Sequence, residues 1–428
     1  MERLPLEHTS ISRLSLYAVI TGALTGLGVA ALNWAVIFTE RAVFGVDHLV
    51  NHDPTSAVSP LRLSLTLIGL GFILSWAWFL LDRSGSEQVS VPEAMFGKKM
   101  PVLTTLCSGF IQVMSVAAGA QVGRENAPRL MGALWGSRLA VALRIDPTAR
   151  RLLVASAAGA GLGASFHLPL AGAIFTLELL LVEMSAQAVI TAMLTSATAA
   201  AVTGIFVEPH PVYHSVPVAE SMATIVIALV VGAFTGLLGH WFGALARSAV
   251  KHRARGRQLL WQMPLGFAVL AVISYVVPGV SANARFTTDS IFTAQSAAFG
   301  LLLLGALRVC VILLSFRVGV IGGTLTPAFG LGAIFGSLLG LALHPLFPEI
   351  PFGAFAILGA AAFLSTAMAA PMFGMIAAIE FTDMAAQGYL PVFVAVVAAA
   401  LSVRFWGLLI QKEQKLAPFT SALFKQQP

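Results

Sequence analysis

The sequence has few charged residues. Only 10% of its 428 residues are Asp, Glu, Lys or Arg, whereas 57% are hydrophobic, and soluble domains usually carry about 25% charged residues. This shortage excludes an ordinary soluble globular protein. Lipid cannot hydrogen-bond to an exposed backbone, so membrane-spanning segments must be helices or a closed barrel. The long apolar stretches show no two-residue alternation, and they predict an all-α polytopic membrane protein.

Cysteines are scarce and catalytic motifs are missing. Cys107 and Cys310 lie in apolar stretches without nearby metal ligands, and we interpret both as packing residues. The sequence has no His-Glu-x-x-His motif, Walker loop or dinucleotide fingerprint. Ser165 and His167 lie close together, but the glycine that follows a nucleophilic serine and a separate base are missing. We therefore predict no enzyme activity, no cofactor and no metal site.

Basic residues predict the topology. The formal charge is +6, but Lys and Arg lie in short loops between apolar stretches, which is typical of a topology signal and implies no nucleic-acid partner. The basic loops at 83–99, 138–151 and 247–257 are predicted to face the cytoplasm. Residues 1–13 read as a cytoplasmic tail, because no cleavage site follows the next apolar stretch. We expect a multi-pass protein of the bacterial inner membrane, surrounded by lipid.

One apolar stretch, at 129–143, is too short to cross the membrane, because a spanning helix needs about 20 residues. Lys99 and Arg144 are both predicted to face the cytoplasm, yet only one long and one short helix separate them. The chain must therefore reverse at membrane depth. The segment 123–128, Gly-Arg-Glu-Asn-Ala-Pro, is the predicted turn.

Two blocks of sequence recur with a period of about 200 residues. The block at 132–137 returns at 332–337, and Pro169 and Glu178 return as Pro371 and Glu380. Convergent packing of small residues is the alternative explanation. The repeat predicts a domain organisation of five parts: a tail at 1–13, a first membrane repeat at 14–206, an external linker at 207–221, a second repeat at 222–410 and a cytoplasmic tail at 411–428.

The two repeats are predicted to have inverted topology, because the linker between them lacks Lys and Arg and should face outward. Inverted repeats with broken, re-entrant helices place a substrate site at the midplane, where half-helix N-termini point inward. Free N–H groups and the helix dipole favour anions there. Pro128 and Pro327 fit the first turns of two such half-helices. The sequence thus predicts transport of a small anion.

At these loops the sequence resembles the CLC family of anion channels and proton-coupled antiporters. The matching segments follow the family's order: Gly-Arg-Glu at 123–125, the segment 164–172, Gly-Gly-Thr-Leu-Thr-Pro at 322–327, and Ile-Glu-Phe-Thr-Asp at 379–383. The resemblance implies a homodimer with one pore in each subunit and with both termini in the cytoplasm.

The departures from this family indicate its fluoride branch. Chloride-selective members carry a serine that contacts the ion, and Val89 takes its place here; their C-terminal ion-binding tyrosine falls near Phe419 and Thr420. The run Ala-Pro-Arg at 127–129 and the Leu-Thr-Pro at 325–327 resemble the fluoride/proton antiporters. The inner glutamate that some chloride antiporters use would fall at Leu179.

Glu125 is the residue most strongly indicated as functional, because an ionisable group at membrane depth is costly. Its carboxylate could occupy the anion site and leave it when protonated. A salt bridge with Arg124 or Arg129 is the structural alternative. With Glu125 as the proton and gating group, the resemblance implies anion binding by Val89, Ser90, Arg124, Asn126, Thr324, Leu325, Thr326, Phe419 and Thr420.

Glu178 and Glu380 lie near predicted helix ends, and we interpret them as capping or interfacial residues rather than transport residues. The leading hypothesis is fluoride export coupled to proton import. The alternatives are a chloride channel or chloride/proton antiporter of the same fold, and a transporter of another solute or a non-transporting membrane protein.

Overall fold

The computed structural model describes residues 9–44, 59–85, 87–209, 212–213, 217–277, 280 and 298–423, with side chains as far as Leu408. The described residues form α-helices and contain no strand beyond one isolated bridge, which confirms the all-α prediction. Eight of these helices are long and apolar enough to cross a membrane. The chain is therefore a multi-pass membrane protein.

The first half contains a long N-terminal helix followed by helices of very unequal length. Its elements are α1 (Ile11–Phe44), α2 (Pro60–Arg83), α3 (Val91–Met95), α4 (Val102–Ala117), α5 (Asn126–Ala142), α6 (Pro147–Phe166), α7 (Pro169–Phe175), which continues into a π-helical turn at Thr176–Leu181, and α8 (Ala186–Phe206).

The second half repeats this pattern. Its elements are α9 (Met222–Lys251), α10 (Leu259–Val276), α11 (Ala298–Arg317), α12 (Leu325–Leu343), α13 (Phe352–Ala367), α14 (Pro371–Phe381) and α15 (Tyr389–Leu423). The last helix continues past residue 410, where the sequence places the start of the C-terminal tail.

Two apolar stretches are interrupted by helix breaks. The stretch at 152–183 breaks at His167, which has a φ of 56°, and the stretch at 352–382 breaks at Ala369, which has a φ of 54°. A proline then starts the next helix in both halves, Pro169 in α7 and Pro371 in α14. Proline suits a first helical turn because the N–H that it lacks would have no partner there. Each repeat thus gains a short helix that starts inside the protein.

Small residues set the close packing of equivalent helix pairs. A Cβ atom on Gly132 would lie 1.9 Å from the carbonyl oxygen of Ala157, where α5 crosses α6. One on Gly332 would lie 2.6 Å from the carbonyl oxygen of Gly359, where α12 crosses α13. Such approaches are possible only without a side chain. The two recurring sequence blocks therefore occupy equivalent places, which confirms the repeat.

Two glutamates connect the halves by capping helices of the opposite repeat. Glu178 Oε1 and Oε2 accept from the backbone N–H groups of Met372 (3.1 Å) and Phe373 (2.7 Å) at the start of α14. Glu380 accepts from Leu170 (3.0 Å) and Ala171 (2.7 Å) at the start of α7. The first N–H groups of a helix have no partner within it. Both glutamates are thus caps, as interpreted from the sequence, but each caps the other half.

We expect Glu178→Ala and Glu380→Ala each to lower the free energy of unfolding by about 1–3 kcal/mol, because each leaves two N–H groups without an acceptor in a poorly hydrated place. Thermal unfolding of the detergent-purified protein measures this. Glu183→Ala is the matched control: its ion pair with Arg151 is partly exposed and contributes roughly 0–1 kcal/mol. Equal unfolding temperatures for all three variants would contradict the capping role.

Candidate anion site

The two halves meet where their half-helices begin. The N–H of Gly123 donates to the carbonyl of Gly323 at 2.8 Å, and the N–H of Gly323 donates back to the carbonyl of Gly123 at 2.7 Å. α5 and α12 start within three residues of this antiparallel bridge. α4 ends at Ala117 and α5 begins at Asn126. The break therefore lies at 118–125, and residues 126–128 of the predicted turn already belong to α5. The bridge places two helix N-termini side by side inside the protein.

The carboxylate of Glu125 lies between these two loops. Its residue is only 1% exposed, and Oε1 accepts from the backbone N–H of Leu325 at 2.6 Å. Oε2 is buried and has no hydrogen-bond partner. A negative charge at this place is favoured by the N-terminus of α12. The carboxylate thus takes the position that a bound anion would take at that helix.

Glycine at 123 and 323 makes room for this carboxylate. A Cβ atom on Gly123 would lie 2.0 Å from Oε2 of Glu125, and one on Gly323 would lie 1.9 Å from Oε1. Real Cβ atoms do not approach so closely. A side chain at either position would therefore displace the carboxylate or separate the loops.

Glu125 forms no ion pair with its arginine neighbours. Arg124 stacks on the Phe166 ring with Cζ 4.9 Å from its centroid, and it donates to the Ser165 carbonyl at 3.3 Å. The Arg129 guanidinium lies over the ring of Phe175, also at 4.9 Å. Neither arginine is within ion-pair distance of the carboxylate in the described part of the chain. The salt-bridge alternative is not what the structure contains.

The loop that leads into α12 contributes backbone groups to the site. Leu325 is fully buried, and its N–H is occupied by Glu125. Thr324 precedes the first turn of α12 and makes no side-chain cap. Thr324 and Thr326 are both partly exposed. The structure therefore brings 324–326 to Glu125, with Leu325 in direct contact.

Three predicted anion-binding residues, Val89, Ser90 and Asn126, lie on a separate cavity of about 240 Å³. Val89 is 5% exposed and has no hydroxyl to offer. The Ser90 hydroxyl donates to Glu93 Oε2 at 2.6 Å and caps α3. Hydrogen bonds from Lys98 and Ser90 lower the pKa of Glu93 to about 2, so this acceptor stays ionised. Ser90 thus uses its hydroxyl within its own loop.

Sequence reasoning missed the polar residues of α4 and the arginines on this cavity. Asn126 Nδ2 donates to Gln112 Oε1 at 2.8 Å, and Gln112 Nε2 donates to Ser108 Oγ at 3.0 Å. Residues 105, 108 and 112 lie on one face of an otherwise apolar helix, and this spacing could have identified them. Arg129 and Arg253 also line the cavity.

Phe419 and Thr420 fall on α15 beyond the last described side chain. Their predicted contact with the anion lies outside the described residues and stays a prediction.

Comparison with known proteins identifies the family. The family model for the voltage gated chloride channel matches residues 68–404. The similar solved structures include a slow cyanobacterial Cl−/H+ antiporter (21% identity, TM-score 0.78, 95% of this chain and 98% of that one); a CLC-type fluoride/proton antiporter (20%, 0.70, 93% and 96%); and a eukaryotic CLC transporter (21%, 0.73, 91% and 71%). The match covers most of the sequence and both halves of the site. The chain therefore belongs to the voltage-gated chloride channel (CLC) family.

Proposed function

We propose that this protein exchanges a small halide for protons across the membrane, with fluoride as the exported ion and Glu125 as the gate. The observation that carries the proposal is the hydrogen bond from the Leu325 N–H to Glu125 Oε1. It places a titratable group at the N-terminus of α12, where an anion would bind.

Exchange follows because the Glu125 carboxylate and the transported anion compete for the same position at the N-terminus of α12. While Glu125 is ionised, its charge and its hydrogen bond hold it against α12 and exclude a second anion. Protonation removes the charge, and an anion then binds the Leu325 N–H more strongly than the neutral carboxyl does, since hydrogen bonds to charged groups are the stronger ones. The carboxylate and the anion thus occupy this place in turn, and each turnover adds a proton to Glu125 and removes one.

Fluoride is favoured over chloride because the site lacks the serine hydroxyl of the chloride-selective members and keeps mainly backbone N–H donors. Val89 stands at the position of a hydroxyl ligand, and the hydroxyl of Ser90 is used by Glu93. Backbone N–H groups and the hydroxyls of Thr324 and Thr326 are then the available donors. Fluoride is a small, strong hydrogen-bond acceptor and gains more from such donors than chloride does.

The oligomeric state and the location of the protein belong to the same proposal. We infer a homodimer with one pathway in each subunit, situated in the bacterial inner membrane, with the membrane repeats at 14–206 and 222–410. Large apolar side chains are exposed on α8, on the short helix α14 and on α15, among them Met193, Met372 and Phe393. Such a surface suits either lipid or a second subunit.

Glu125→Gln keeps the shape of the side chain but cannot ionise. We expect proton movement driven by an anion gradient to stop, while anion flux either stops or becomes passive. Flux from reconstituted liposomes with simultaneous pH recording measures both. Glu183→Gln, which removes a partly exposed carboxylate that pairs with Arg151, should retain coupled exchange. Continued uphill proton pumping by the Glu125 variant would exclude this carboxylate as the coupling group.

Selectivity is tested with the unmodified protein. Liposomes loaded with equal concentrations of fluoride or chloride should release fluoride well ahead of chloride, because no described serine hydroxyl is free at 89–90 to bind the larger ion. Chloride efflux equal to or faster than fluoride efflux would favour the chloride antiporter or channel instead.

Gly323→Ala places a methyl group where Oε1 of Glu125 now lies. Because overpacking of this kind costs about 1–3 kcal/mol, we expect coupled exchange to slow by roughly 10–100-fold. Gly300→Ala, in α11 with nothing within 4 Å of the added atom, is the control and should exchange normally. Wild-type rates in both variants would argue against a carboxylate seated between the two loops.

A further inference from the structure

A basic patch lies where the loop between α3 and α4 meets the junction of α5 and α6. Arg138 Nη2 donates to the carbonyl of Met100 at 3.2 Å, and a Cβ atom on Gly97 would lie 2.8 Å from Nη1 of Arg150. Lys99 lies between these two points of the loop, and a fourth basic residue follows the end of α5. The basic patch consists of Lys99, Arg138, Arg144 and Arg150.

Buried apolar side chains fix the two segments that carry the patch against each other. Met95 and Met100 come from the first segment, and Ile145 and Ala149 come from the second. All four are buried and belong to one hydrophobic cluster. The basic residues therefore stand on a packed platform, and the distances between them do not depend on independent loops.

The protein does not pair the charges of the basic patch. In the described part of the chain no carboxylate lies within ion-pair distance of any of its four residues, whereas the cations beside it are paired. Lys98 contacts Glu87 at 2.6 Å and Glu93 at 2.8 Å. Arg151 contacts Glu183 at 3.2 Å. The patch is thus the part of this surface whose positive charge is available to a ligand.

One acidic residue, Asp146, belongs to the same junction, but it is directed to other partners. It is buried, and its Oδ1 accepts from the N–H groups of Thr148 and Ala149 in the first turn of α6. Its Oδ2 accepts from the N–H and the hydroxyl of Thr9. Four positive charges therefore face one buried negative charge, and the patch keeps a positive excess.

Large apolar side chains border the basic patch. Phe96 is 80% exposed, Leu103 is 75% exposed and Leu143 is 44% exposed. In a membrane protein such side chains are covered by acyl chains, and surfaces that combine Lys or Arg with Phe or Leu lie at the boundary between acyl chains and headgroups. The patch therefore combines an apolar surface for lipid tails with cations at the level of the phosphates.

We propose that the basic patch binds the phosphate of an anionic phospholipid, whose acyl chains cover Phe96 and Leu103. The inference does not rest on the proposed function. Basic loops predict that this side faces the cytoplasm, where anionic lipids attract Lys and Arg close to the membrane surface. The guanidinium groups donate in pairs to phosphate oxygens, and the Lys99 ammonium adds a point charge.

Native mass spectrometry of the detergent-purified protein tests this site by titration with phosphatidylglycerol or with phosphatidylcholine of the same acyl chains. Phosphatidylglycerol should bind at least about tenfold more tightly. Lys99→Gln should weaken its binding about fivefold, which corresponds to about 1 kcal/mol per basic residue, and Lys99→Arg should bind like the wild-type protein. Arg62→Gln is the control, because it removes an exposed arginine from the opposite end of α2 to the basic loop at 83–99. Equal binding of both lipids, or an unchanged affinity in Lys99→Gln, would overturn the proposal.

Two further measurements distinguish a lipid from other ligands. Sodium phosphate at about ten times the lipid concentration should leave the lipid bound, because free phosphate has no acyl chain to cover the apolar side chains; displacement of the lipid would contradict the lipid assignment. Phosphatidylglycerol should also raise the unfolding temperature of the wild-type protein, since a ligand of the folded state stabilises it. The rise should be smaller in Lys99→Gln and in Arg144→Gln, whose side chains are exposed. An equal rise in all three proteins would count against the basic patch as the binding site.

Discussion

The hydrogen bond from the Leu325 N–H to Glu125 joins the two repeats at the centre of the molecule. It depends on the break between α4 and α5, on the break between α11 and α12, and on the Gly123–Gly323 bridge that joins these two segments. Lipid cannot satisfy the free N–H groups of a helix that starts inside the membrane. Each half-helix therefore needs an acceptor from another part of the protein.

The same requirement explains three carboxylates in different parts of the chain. Glu178 caps α14, Glu380 caps α7 and Glu125 caps α12, and each contact crosses from one repeat to the other. Both oxygens of Glu178 and of Glu380 accept hydrogen bonds. Glu125 uses only one of its oxygens and lies between two glycines. It is thus held by fewer hydrogen bonds than the other two, which fits the role proposed for it, that of a group that leaves its place during transport.

The two cavities near this site differ in the charged residues that line them. Asp82, Glu87, Arg253 and Arg255 line one of them, whereas the described charged residues on the other, beside Ser90, are Arg129 and Arg253. The guanidinium groups of Arg124 and Arg129 lie over the rings of Phe166 and Phe175. Cation–π contacts of this kind hold a cation against the face of a ring.

The sequence by itself determined the all-helical membrane fold, the repeat and the re-entrant turn at Glu125, because apolar length, basic loops and recurring Gly and Pro are local properties of the chain. It also indicated Glu178 and Glu380 as caps, but not that each caps the opposite half. Only the tertiary structure decided that Ser90 bonds to Glu93, that Arg129 and Gln112 share a cavity with Asn126, and that Leu325 donates to Glu125. These contacts join residues that different helices bring together across the fold, and the spacing of residues along one chain does not encode such distances.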